Sequence, residues 1–172
     1  MNLRKIIIII IALGITTGCS EPINGKVIDA ETGQPIEGAV VLVEWTRKCG
    51  IGDYRTDSVR VVETATNKEG MFRVPPGLTP FAEPPHLTIY KKGYVAWNNG
   101  FIFPDYKHRK QNVEIYGHIR LENFKETYSY DQHVSFLRTC TNWALADHKK
   151  RKFEAAYQWE VALARKEVLR EK

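Results

Sequence analysis

All twelve glycines and all eight prolines lie before residue 123, and the last fifty residues, Asn123 to Lys172, contain neither. Gly and Pro are the residues that end regular elements, because one frees the backbone and the other removes a donor and fixes φ. The first part of this chain is therefore built from short segments separated by turns. The last part is free to run as uninterrupted helix. At 172 residues and 43% hydrophobic content, one domain with an appendage is the expected size, and the apolar content suffices for a packed core.

The punctuated part reads as strands. Ile23 to Asp29 is the first, and Glu31-Thr32-Gly33-Gln34-Pro35 is a strong turn signal. Gly38 to Thr46 is β-branched and apolar, Glu44 apart, as a central strand packed on both faces would be. Residues 47–58 read as a polar loop, Val59 to Thr66 as a strand, Asn67 to Gly70 as a hairpin turn, and Met71 to Val74 as its partner. Pro75 to Pro85 is a proline-rich loop that no central strand could contain. Leu87 to Tyr90 is a strand, Val95 to Phe103 pairs around Asn98-Asn99-Gly100, and Val113 to Leu121 alternates cleanly. In that last strand Ile119 and Leu121 face in and His118 and Arg120 face out. Six or seven short strands with turns between them predict an antiparallel sandwich.

The unpunctuated end changes period. Val134, Leu137, Thr141 and Ala144 share one stripe, with Phe136, Cys140 and Trp143 beside it. Phe153, Tyr157, Val161, Ala164 and Val168 form a second. Ser129 or Asp131 can cap the start, and Asp147 a second helix, unless one long helix runs through.

The first nineteen residues bear on location. A basic opening, Arg4-Lys5, precedes an apolar stretch with six consecutive isoleucines, and then come Thr16-Thr17-Gly18-Cys19. This is the pattern of a secretory leader, and the stretch is too short to span a bilayer, which takes about 20 residues. The Thr-Thr-Gly-Cys ending resembles the bacterial lipoprotein signal, with Thr16 where Leu is usual. The resemblance implies cleavage before Cys19 and diacylglycerol on its sulfur, a lipid anchor rather than a spanning helix. Ser20 after the cysteine points to the outer membrane, periplasmic face. Residues 1–18 are then leader, 19–22 lipidated Cys and tether, 23–122 sandwich and 123–172 helical extension.

Residues 19–146 carry equal numbers of acidic and basic side chains, and 147–172 carry eight basic and five acidic, the densest run being Lys149 to Lys152. So mild a balance, in an exported chain, argues against nucleic acid. Beyond Cys19 there are two cysteines, Cys49 and Cys140. An even pair in an exported chain predicts a disulfide, which the chain-entropy model credits with about 4.6 kcal/mol. Two buried thiols or a redox pair are the alternatives, and nothing resembles Cys-x-x-Cys.

Gly25-Lys26-Val27, Thr32 to Val41, Thr66-Asn67-Lys68-Glu69-Gly70-Met71-Phe72 and Lys92-Gly93-Tyr94 together resemble the carboxypeptidase regulatory-like domain, with Asn67 where that family usually has Asp. The resemblance covers about Ile23 to Leu121 and implies a transthyretin-like β-sandwich. Its motifs are turns and core positions, so it says little of activity.

Local chemistry is sparse. The five histidines, 86, 108, 118, 133 and 148, show no metal-ligand spacing, and there is no nucleophile elbow or phosphate-cradling loop. Intradiol dioxygenases, with a similar sandwich, bind iron through two Tyr and two His. Tyr106, His108, Tyr116 and His118 offer those types, but their crowding in one hairpin opposes convergence. A ligand surface is nominated by Trp97, Asn98 and Phe101, aromatics beside amides that suit a sugar, and by Lys107 and Arg109 in a basic run that suits an anionic polymer. The competing reading packs those aromatics on the core and leaves the basic run as a solvated turn.

The reading is a mainly β, transthyretin-like sandwich with a C-terminal helical extension. It is a non-catalytic binding or scaffolding module held at the membrane through Cys19, without metal or cofactor, and its partner is an envelope protein or polysaccharide. The competing classes are an enzyme whose site is assembled from distant residues, and an accessory subunit that docks through its C-terminal helix. An exposed apolar stripe at Trp159 and Leu163 would mark the latter.

Overall fold

The computed structural model describes residues 19–50, 55–109, 117–141 and 151–170. The leader, Tyr116, Asp147 and the run Lys149-Lys150 lie outside them. Among these described residues eleven strands are followed by two helices. Seven strands make two sheets. One sheet has the order β11 (Gly117–Leu121), β2 (Ile23–Asp29), β5 (Met71–Val74). The other has the order β4 (Arg55–Ala65), β3 (Val40–Cys49), β7 (His86–Tyr90), β8 (Trp97–Asn98). Two small ribbons pair β1 (Cys19–Ser20) with β6 (Gly77–Leu78), and β9 (Phe101–Ile102) with β10 (Lys107–His108). The chain is mainly β, a sandwich with helix at its C-terminal end. Pairing is antiparallel except for one contact: β11 runs parallel to β2, with Gly117 opposite Gly25.

Alternation along β3 assigns its two faces. Val41, Val43 and Trp45 point into the space between the sheets, where they meet Val27, Phe72, Val74, Leu87, Ile89, Trp97, Ile119 and Leu121. Leu42 points the other way, into a second apolar layer with Tyr90, Val95, Phe103 and the helices. The expectation of a strand packed on both faces is thus met, and the molecule has three layers.

Two glycines are required by close approach. A Cβ on Gly70, which sits at φ +73, would lie 2.4 Å from the Val27 carbonyl, and one on Gly25 would meet the Phe72 ring at 2.6 Å. The turn before Gly70 is tied by Asn67, whose Oδ1 accepts from the Glu69 and Met71 amides.

The helices are α1 (Tyr130–Cys140) and α2 (Arg151–Arg170), two elements rather than one. Ser129 caps α1, accepting from the amides of Asp131 and Gln132. Both helices lie on the outer face of the four-stranded sheet.

Three expectations are corrected. The segment read as a loop at 47–58 is largely strand: the β3–β4 ladder continues from Thr46 opposite Ser58 to Cys49 opposite Arg55. Backbone pairing holds this end of the hairpin, so its side chains carry no apolar signal. Residues 97–98 and 101–102 do not pair with each other. The Asn98 Oδ1 accepts from the Gly100 and Phe101 amides, turning the chain out of the sheet, so β8 pairs with β7 and β9 with β10.

The Cys49–Cys140 disulfide is absent; both cysteines are free. The Cys140 carbonyl accepts from the Thr88 hydroxyl, and Thr88 is level with Leu42 on β3. Cys49 lies seven positions further along that strand, on the order of 20 Å away at about 3.3 Å per residue, whereas a bridge needs Cα atoms within about 7 Å. Cys140 is buried at the end of α1, and burial pushes its thiol up to about 12.

Candidate functional site

Two places gather polar side chains: one sealed between the helices and the sheet, the other open beside β11.

The sealed cluster joins three elements. Tyr90 on β7 donates its hydroxyl to Glu160 Oε1 of α2 at 2.9 Å, and the Trp159 indole N–H donates to the Tyr90 oxygen at 2.8 Å. The other carboxylate oxygen, Glu160 Oε2, lies 2.6 Å from His133 Nδ1 of α1. His133 Nε2 accepts the Ala96 backbone N–H at 2.9 Å. An acceptor role leaves Nε2 unprotonated, so Nδ1 carries the hydrogen and donates it to Glu160. Every polar atom in this chain of bonds has a partner. Burial first, and then the Glu160 charge, raise the Tyr90 phenol well above its ordinary range and keep it a donor. A carboxylate, an imidazole and a phenol are the groups of acid–base chemistry. Here they are sealed off: His133 is 0% and Glu160 1% exposed.

Carboxylates also hold the helix starts. Glu63 of β4 accepts from the Lys152 and Phe153 amides at the beginning of α2. Glu167 near the end of α2 accepts from the Tyr130 and Asp131 amides and the Ser129 hydroxyl at the beginning of α1. Each places negative charge on unpaired N–H groups at the positive pole of a helix. For Glu167, burial works to raise the pKa and is outweighed by those amides, so the carboxyl sits below its ordinary value.

The open place is a cleft of about 500 Å³ lined by Trp97, Phe103, Arg109, His118, Arg120 and Glu122 among others. Of the nominated ligand residues, Trp97, Asn98 and Arg109 are tied to one another, and Phe101 and Lys107 have other partners. Trp97 is 6% and Asn98 2% exposed, so neither presents a surface for stacking. The Arg109 guanidinium covers the Trp97 ring at 5.0 Å, and its Nε donates to the Asn98 carbonyl at 2.7 Å. Burial lowers its pKa. Phe101 is half-buried and packs on the His108 ring at 4.9 Å. Lys107 pairs with Asp105 at 2.8 Å in solvent. Of the five, Arg109 and Trp97 line the cleft.

Sequence reasoning missed the sealed cluster, because His133 and Glu160 belong to different helices, 27 residues apart. The signal in the sequence was that both fall on the apolar stripes of their helices, beside Val134 and Leu137, and beside Tyr157, Val161 and Ala164. Trp159 and Leu163 are half-buried, Trp159 lying under Lys92 and against Tyr130, so they form no exposed stripe. The exposed apolar residues of α2 are instead Val168 and Leu169. Among the described residues no three His, Cys, Asp or Glu side chains could hold a metal, and no helix is long and apolar enough to cross a membrane.

No family model and no curated protein matches this chain. Among solved structures it is similar to a streptococcal ancillary pilin at 15% identity, over 62% of this chain and 30% of that one, with a TM-score of 0.33. It is also similar to the C-terminal domain of the shaft pilin spaA from Lactobacillus rhamnosus GG, at 16% identity over 60% and 98%, with a TM-score of 0.34. A third is 3-chlorocatechol 1,2-dioxygenase from Rhodococcus opacus 1CP, at 15% identity over 62% and 61%, with a TM-score of 0.39. Likenesses this distant decide neither fold nor activity.

Proposed function

We propose that this chain is a lipid-anchored envelope protein, a non-catalytic binding or scaffolding module. Residues 1–18 serve as its leader, Cys19 carries a thioether-linked diacylglycerol, and residues 23–122 and 123–172 form its sandwich and helical parts. It lies on the periplasmic face of the outer membrane and meets an envelope protein or polysaccharide there.

The observation that carries this reading is the position of Cys19. The residue that ends the lipoprotein-like signal lies in β1, paired to Leu78 of β6, with two residues between β1 and β2. A lipid on its sulfur is joined to the sandwich by a tether no longer than residues 19–22, so the body lies close to the bilayer. The non-catalytic part rests on the sealing of the His133–Glu160 pair, which no substrate reaches, and on the internal bonds of Arg109 and Asn98 at the cleft.

Mass spectrometry of the natural product, with membrane fractionation of Cys19→Ser, tests the anchor. The expected result is a mature chain beginning at a diacylated Cys19, and release of the variant from membranes. An unmodified polypeptide that keeps its leader, or a variant still in the membrane fraction, overturns it.

A further inference from the structure

We propose that the proline-rich end of the sandwich is a membrane-contact surface, with Leu78 and Phe81 seated at the headgroup–acyl boundary beside the Cys19 lipid. This rests on the lipoprotein reading above and extends it from an anchor to an oriented face.

Leu78 is 72% and Phe81 90% exposed, although both are large and apolar. Leu78 is also the residue opposite Cys19 in the β1–β6 ribbon. Opposed residues of an antiparallel pair have Cα atoms about 5 Å apart. A lipid that enters the bilayer from position 19 therefore brings position 78 to the bilayer surface, and a few residues of loop carry Phe81 there with it. The attachment point and the apolar residues occupy the same end of the molecule, and that coincidence makes the occupant a bilayer rather than a protein.

The loop is built to project these side chains. Phe81 has φ +56, a left-handed conformation that costs a bulky residue energy and that its surroundings must hold. They do so at both ends. The Arg60 guanidinium donates to the Pro75 and Pro76 carbonyls, and it occupies the space where a Cβ on Gly77 would stand, at 2.5 Å. The Glu83 amide donates to the Thr46 carbonyl at 2.7 Å, and Lys48 on β3 pairs loosely with Glu83 at 3.9 Å. Phe81 thus stands out from a braced frame, and little ordering remains to oppose its insertion. Short apolar insertions of this kind add to a lipid chain by burying area at the interface.

The test uses the lipidated chain reconstituted in phosphatidylethanolamine–phosphatidylglycerol vesicles, with Phe81→Trp as reporter and lipids brominated at shallow acyl positions as quencher. The unsubstituted chain gives the background from its own four tryptophans. The expected result is a blue-shifted emission component at position 81, quenched several-fold more than that background. Leu78→Trp is expected to behave alike. Both side chains stand in water in the free protein, so an unchanged unfolding midpoint verifies the fold. A membrane-bound chain whose reporters at 78 and 81 emit as in water and escape quenching overturns the proposal. So does a photocrosslinker at 81 that captures protein instead of lipid.

Mass spectrometry of the same sample separates this inference from the reading beneath it. Diacylated Cys19 with unquenched reporters defeats the contact face and leaves the anchor. Quenched reporters on a chain without lipid defeat the anchor and leave the face.

Discussion

The two interiors of this molecule are built on different chemistry. Between the sheets, Val27, Val41, Val43, Leu87, Ile89 and Leu121 pack as an aliphatic layer with the rings of Phe72, Trp45 and Trp97. Between the four-stranded sheet and the helices, the apolar residues surround a line of bonds from Trp159 through Tyr90 and Glu160 to His133, and carboxylates from Glu63 and Glu167 hold the helix starts. Apolar packing tolerates small shifts of one layer over another, because dispersion has no direction. A buried carboxylate with two fixed donors does not. The sheets are held by area, whereas the helices are held in one register, because only that register brings Glu160 to both Tyr90 and His133.

Removing one member of the polar line is the severest test. Glu160→Ala leaves the His133 N–H and the Tyr90 hydroxyl buried without an acceptor, each worth about 1–3 kcal/mol, and opens a cavity, so a loss of about 3–5 kcal/mol is expected in urea unfolding. Replacing its three acid–base members, with His133→Leu, Glu160→Leu and Tyr90→Phe together, should recover part of that loss and not all of it, because the Ala96 amide and the Trp159 indole N–H then lose their acceptors. If the triple variant is as damaged as the single one, the contrast between the interiors is false. In the dry core, Leu87→Ala should cost about 3 kcal/mol by cavity formation, with no partner substitution to restore it except refilled volume.

Glu63→Ala should cost about 1 kcal/mol, the scale of a lost helix cap, and should increase amide exchange at the start of α2 before the sandwich is affected. The smallest effect is a pH dependence. The Thr32 amide foremost, with the Glu31 amide and the Tyr94 hydroxyl, holds the Asp29 carboxyl at about 2 against the opposing effect of burial. A depressed carboxyl contributes stability that is complete above its unfolded value, about 3.9, and lost as pH falls through about 2. Asp29→Asn should flatten that part of the acid unfolding profile, and Glu167→Gln should flatten it further, since that carboxyl is also lowered.

The same contrast explains what the sequence disclosed. Ile119 and Leu121 alternate with His118 and Arg120, and β3 is apolar on both faces, so the sandwich was visible in side-chain pattern alone. The stripes of α1 and α2 were equally visible, and Ser129, the cap, was one of two candidates with Asp131. What escaped were features fixed by the meeting of distant segments. Nothing near His133 marks Glu160 as its partner. The pairing of Cys49 with Cys140 looked reasonable by count and failed on position, since one ends a hairpin and the other lies against the middle of the sheet. Trp97 and Asn98 were identified as chemically rich, but the bonds that occupy them come from Arg109 and from their own turn.

The parallel contact of β11 with β2 also bears on timing. One edge of the first sheet strand waits for residues 117–121, made about ninety positions later, and pairings so remote in sequence form slowly. A chain that emerges N-terminus first therefore cannot close its sheet until most of its length is free. Until those residues arrive, the β2 strand has only β5 for a sheet neighbour, and the three-stranded sheet stays incomplete.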